Sequence, residues 1–140
     1  MATTRALLTA GCAVIASLSL PAPASADISG FTSPSGNIGC MLDETFVRCD
    51  IRQRDWTPPP RPSDCPSFTG YGQGIEIAAG HRPRFVCAGD TAYSLSAALP
   101  YGHSMSAGPL TCTSAESGMT CRDDGSGHGF TLSRQGYQLF

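Results

Sequence analysis

The sequence contains no lysine; its nine basic residues are all arginines. Charged residues make up 14% of the 140 positions, against about 25% in ordinary soluble proteins. The surface must therefore rely on Ser, Thr, Gly and Gln. A formal charge of −2 with no basic cluster excludes an ordinary nucleic-acid binder, which carries a concentrated excess of positive charge. Sustained heptads are absent, which excludes a coiled coil. There is no C-x-x-C pair, so neither thioredoxin-like chemistry nor the usual zinc spacing is available. H-x-H, H-E-x-x-H and G-x-S-x-G are missing too. No apolar run reaches the ~18–20 residues that cross a bilayer comfortably, so no transmembrane segment is expected.

What is present begins with an address. Arg5 precedes a stretch from Ala6 to Leu20 that is apolar or small throughout, followed by Pro21, Pro23 and Ala24-Ser25-Ala26. This is the pattern of a secretory signal peptide with an A-x-A cleavage site. Residues 1–26 are read as the signal and 27–140 as a single domain starting at Asp27. Leu8-Thr9-Ala10-Gly11-Cys12 approximates a lipobox and makes lipid anchoring at Cys12 the minor alternative. Thr9 stands where that motif wants Leu, and an apolar run would remain on the mature chain.

Six cysteines then remain, and in a short exported chain they read as three disulfides. Cys40 and Cys49 are separated by eight residues, as are Cys112 and Cys121, and an apolar residue stands two places before each of the four. That alternation marks half-buried strands. An even spacing lets the two cysteines of a hairpin face each other, at the ~4.5 Å Cα separation of a non-hydrogen-bonded pair. The expected bridges are Cys40–Cys49, Cys112–Cys121 and, by elimination, Cys65–Cys87.

Strands are expected over 37–42, 46–51, 74–78, 84–88, 110–114, 118–122, 130–133 and 137–140, punctuated by Gly, Pro and Ser. Tyr93 to Leu99 reads equally as strand or helical turn. The fold class is all-β, a small disulfide-stapled sandwich or partly open barrel built around two C-x8-C hairpins that pair or stack. Trp56-Thr57-Pro58-Pro59-Pro60-Arg61-Pro62 must run extended, because proline fixes φ and removes donors.

Ser33-Pro34-Ser35-Gly36-Asn37-Ile38, Val47-Arg48-Cys49-Asp50-Ile51, Cys87-Ala88-Gly89-Asp90-Thr91, Leu99-Pro100-Tyr101-Gly102, Gly118-Met119-Thr120-Cys121 and Gly127-His128-Gly129-Phe130 together carry a resemblance. The chain resembles an uncharacterised family of exported, six-cysteine proteins from high-GC actinobacteria. The resemblance implies a secreted disulfide domain and brings no activity or catalytic residue with it.

His81, His103 and His128 all lie in Gly/Pro-rich turns and read as turn residues. His128 with Asp90 or Asp123 and a serine makes a hydrolase triad on paper. Arg48, Arg52 and Arg54 interleave with Asp50 and Asp55, which reads as surface pairing; Asp43-Glu44 and Asp123-Asp124 read as solvated turn charges. Trp56, Tyr71 and Tyr101 are the candidate binding residues, an aromatic platform for sugar or peptide, against a reading in which Trp56 packs under its own prolines. The expected function is a secreted, non-enzymatic domain that binds an envelope or extracellular partner and needs no cofactor or metal. Two alternatives stand beside it: a small hydrolase with a histidine site, and a peptidase inhibitor presenting Arg61. Arg61 and Arg82 both precede proline, a bond that trypsin-like enzymes cleave poorly.

Overall fold

Two cysteine hairpins set the frame of the computed structural model, which describes residues 18–22 and 27–140. Arg5, Cys12 and Ala24–Ala26 lie outside the described residues. Strands β1 (Ser29–Thr32), β2 (Ile38–Leu42), β3 (Phe46–Ile51), β4 (Tyr71–Ala78) and β5 (Arg84–Cys87) form one antiparallel sheet in chain order. Strands β6 (Ser104–Ala107), β7 (Leu110–Ala115), β8 (Gly118–Asp123), β9 (Gly129–Leu132) and β10 (Tyr137–Leu139) form the second in the same way. The described residues contain no helix, and hence none long and apolar enough to cross a membrane. The architecture is the expected sandwich, not closed into a barrel.

Registers follow from the alternation. Cys40 faces Cys49, with Ile38 opposite Ile51 and Leu42 opposite Val47. Cys112 faces Cys121, with Ser114 opposite Met119. All three expected disulfides form, and both hairpin bridges hold their Cα atoms 4.1 Å apart. The repeat is expressed as stacking. Cys49 on the central strand of one sheet lies with its Sγ 3.6 Å from that of Cys121, on the central strand of the other. The two bridges thus meet at the middle of the core, among Leu42, Val47, Ile75, Phe130 and Leu132.

Strand β3 is buried on both faces, which corrects the expectation that Arg48 and Asp50 pair at the surface. Both point to the outer face, and a strap formed by residues 88–99 covers them. Arg48 Nε and Nη2 donate to the two Asp50 carboxylate oxygens at 2.9 and 2.8 Å. Its Nη1 reaches the Asp90 carboxylate at 2.7 Å, and Nη2 the Asp90 carbonyl at 2.8 Å. Asp50 Oδ2 also accepts the Ala92 backbone N–H. Burial works against the Arg48 charge, but Asp50 and Asp90 outweigh it and hold its pKa above the ordinary arginine value.

Glycine makes room for the strap. A Cβ at Gly39 would enter the Tyr93 ring, and one at Gly30 would meet the Ser94 hydroxyl. A Cβ at Gly74 would overlap the Cys49 carbonyl and the Asp50 carboxylate. Tyr93 donates its hydroxyl to the Asn37 carbonyl, lies 4.1 Å from the Arg52 guanidinium, and is pushed up to about 12 by burial. The 93–99 segment is therefore neither of the expected elements. It is irregular, with a bend at Leu95 and one parallel bridge between Ala98 and Thr32.

The outer face of the second sheet is a ladder of hydroxyls. Ser104 pairs with Thr113, Ser106 with Thr111 and Thr120 with Thr131, at 2.7, 2.9 and 3.2 Å. These neutral pairs are where a chain so poor in charge places its polar surface.

Candidate functional site

The three candidate aromatics do not form one platform. Trp56 is half-buried, with its ring centroid 4.7 Å from Tyr137 and 6.1 Å from Phe85, and its Nε1 donates to the Ser133 carbonyl at 2.9 Å. It locks the chain after β3 onto the second sheet, so it packs on facing aromatics rather than under its own prolines. Tyr71 is the floor of the Pro-rich segment. Its ring lies under the Arg61 guanidinium at 5.3 Å, and its hydroxyl points to the Pro60 carbonyl.

That segment runs as extended coil, as its prolines require. Pro58 sits against Gly72, whose φ of +77° and lack of a Cβ admit the ring. Arg61, the residue an inhibitor would present, is turned back into its own loop. Its Nη1 donates to the Pro66 and Thr69 carbonyls at 2.8 Å.

Tyr101 is different. It is 41% exposed and lines a groove of about 300 Å³ at one end of the sandwich. Five turns converge there. Asn37 comes from the β1–β2 turn, Gln53 from the chain after β3, and Tyr101 from the turn before β6. Glu116 comes from the β7–β8 turn, and Arg134 and Gln135 from the β9–β10 turn. Asn37 fixes the floor: its amide donates to the Gln53 carbonyl at 2.9 Å and accepts the Gln53 N–H at 2.8 Å. The side chains of Gln53, Glu116 and Gln135 bond to no described group, while Arg134 makes a long pair with Asp55 at 3.4 Å. Of these groups the sequence picks out only Tyr101. The others carry no pattern of their own and meet only once the sheets have stacked.

The triad drawn from sequence is not assembled. Asp90 is taken by Arg48, which holds its carboxyl below the usual range. Asp123 is buried, contrary to the expectation of a solvated turn charge, and occupies an inward position of β8 opposite Leu110. It accepts the Gly80 N–H at 2.7 Å, the Ser126 hydroxyl at 2.9 Å and the Gly125 N–H at 2.8 Å. Those bonds, with Gly80 first, hold its carboxyl below the usual range. Asp123 is thus a polar staple from the second sheet to the β4–β5 turn. His81 bonds to the Ala79 carbonyl in its own turn, and His103 is exposed. His128 meets Ser126 only through its backbone N–H. Among the described residues, the one cluster of metal-type ligands is Cys49, Cys112 and Cys121, and all three sulfurs are spent in disulfides.

The model of one protein family, described as a family of unknown function (DUF6636), matches residues 12–140. No curated protein and no solved structure matches the chain.

Proposed function

The chain belongs to that family of unknown function, and from its site we propose that it is a non-enzymatic binding domain, exported from the cell, that recognises a hydroxyl-rich glycan of the envelope through the Tyr101 groove. The observation that carries this reading is the convergence of five turns on one exposed aromatic ring. Loops held by a rigid scaffold are the usual seat of binding, because the scaffold bears the ordering cost beforehand. The disulfide-centred core supplies that rigidity, and three disulfides in a small domain are consistent with an oxidising, extracellular setting.

The chemistry suits a sugar. A tyrosine ring offers an apolar face to the C–H side of a pyranose and a polar edge to water. The amides of Gln53 and Gln135 donate and accept toward neighbouring hydroxyls, and Glu116 accepts from them. A hydrolase reading loses support because both candidate carboxylates are held by other partners. The inhibitor reading loses support because Arg61 is bound within its own loop.

Titration calorimetry of the oxidised protein with solubilised envelope glycan tests the proposal. Tyr101→Ala is expected to weaken binding about tenfold, a loss of ~1.4 kcal/mol, with the melting temperature unchanged. Equal binding by parent and variant, or no binding by the parent, would remove the groove as the site. Export predicts oxidised protein in the medium or envelope fraction; recovery from the cytosol alone would refute that half.

A further inference from the structure

The three disulfides are not equivalent. Cys40, Cys49, Cys112 and Cys121 are completely buried at the centre of the core. Cys87 is exposed at the end of the edge strand β5, and with Cys65 it lines a second groove of about 470 Å³. Tyr71, Phe85 and Leu139 line the same groove, and Asp64 and Arg84 are its charged members. Arg61 Nη1 lies 3.2 Å from the Cys65 Sγ.

From this asymmetry we infer that Cys65–Cys87 is a thiol-exchange site whose co-reactant is a low-molecular-weight thiol such as glutathione. The thiolate attacks the Cys87 Sγ, since Cys87 is the exposed residue of the pair and Cys65 is buried. A new bond forms between the incoming sulfur and Cys87, the Cys65–Cys87 bond breaks, and its electron pair leaves on Cys65 as a thiolate. Exchange rates depend on which sulfur is attacked and on the stability of the leaving thiolate. The Arg61 guanidinium is placed to stabilise that charge, as cations beside cysteines do. The product carries a mixed disulfide on Cys87 and a free Cys65. The far end of the Pro-rich segment is then no longer tied to β5. This inference stands independently of glycan binding.

The test incubates the intact oxidised protein with reduced glutathione under native conditions, traps free thiols with a maleimide and maps the peptides by mass. The expected adduct is glutathione on Cys87 and maleimide on Cys65, with the other four cysteines still paired. Their protection in the same sample reports that the protein has stayed folded. Arg61→Gln is expected to slow exchange about threefold or more, and Arg61→Lys, which keeps the charge, to retain most of the rate. Glutathione on Cys65, opening of a core bridge at a similar rate, or equal rates in Arg61→Gln and the parent would each overturn the inference.

Discussion

Asp50→Ala is expected to lower the unfolding free energy by about 3–5 kcal/mol, read as a fall in the urea midpoint at unchanged slope. The size follows from what is left behind. Arg48 is 4% exposed, and without Asp50 its Nε has no partner and Nη2 keeps only the Asp90 carbonyl. The Ala92 N–H also loses its acceptor, which unpins the strap at its first turn. Asp90 does not compensate, because its carboxylate is 74% exposed and already engaged. Removing both charges tells the contributions apart. Arg48→Met with Asp50→Leu is expected to recover much of the loss, since an apolar pair of similar volume avoids burying an unpaired charge. Recovery should stay incomplete, because Ala92 remains unsatisfied. A loss below ~1 kcal/mol for Asp50→Ala would mean that the strap lifts and lets water reach Arg48.

Replacing both Cys112 and Cys121 by Ala is expected to cost about 4–5 kcal/mol. Loop-closure entropy for ~10 residues contributes ~2.7 kcal/mol, and each vacated sulfur position adds about 1 kcal/mol of lost packing. Both residues are fully buried, and Cys121 touches the Cys49 sulfur across the sheet interface, so the gap opens where the two halves meet. A domain of this size holds only ~5–15 kcal/mol, which puts the variant close to unfolding. Thermal melts by circular dichroism, parent beside variant, make the measurement. A loss no larger than the entropic part would show that the neighbouring side chains close over the gap.

The elements that could be read from sequence are those that place an apolar residue at every second position. Ile38, Cys40 and Leu42, or Leu110, Cys112 and Ser114, leave a period-2 trace because every second residue enters the core. The equal, even cysteine spacing then sets the register as well. The edge strands β1 and β6 escape because small residues (Ser29, Gly30, Ser104, Ser106) dilute their pattern, and few large side chains enter the core: Phe31 from one, Met105 and Ala107 from the other. Sequence shows that Arg48 and Asp50 alternate in charge but not that residues 88–99 return to cover them. Gly30 and Gly39 are the only trace of that cover, and glycines in strands have several causes. Trp56 draws attention by rarity, yet its ring serves the core. Gln53, Glu116 and Gln135 draw none, and they stand in the open groove.

Every strand in either sheet hydrogen-bonds only to strands adjacent in sequence. This bears on how the chain is oxidised. Each core bridge joins cysteines nine positions apart in one hairpin, so the right partner is also the nearest thiol while the chain is still open. Its effective concentration exceeds that of any distant competitor, since the cost of closing a loop rises with its length. Oxidation and strand pairing therefore favour the same contacts. The sheets can dock with both bridges already made, sealing the sulfurs before a wrong partner can reach them.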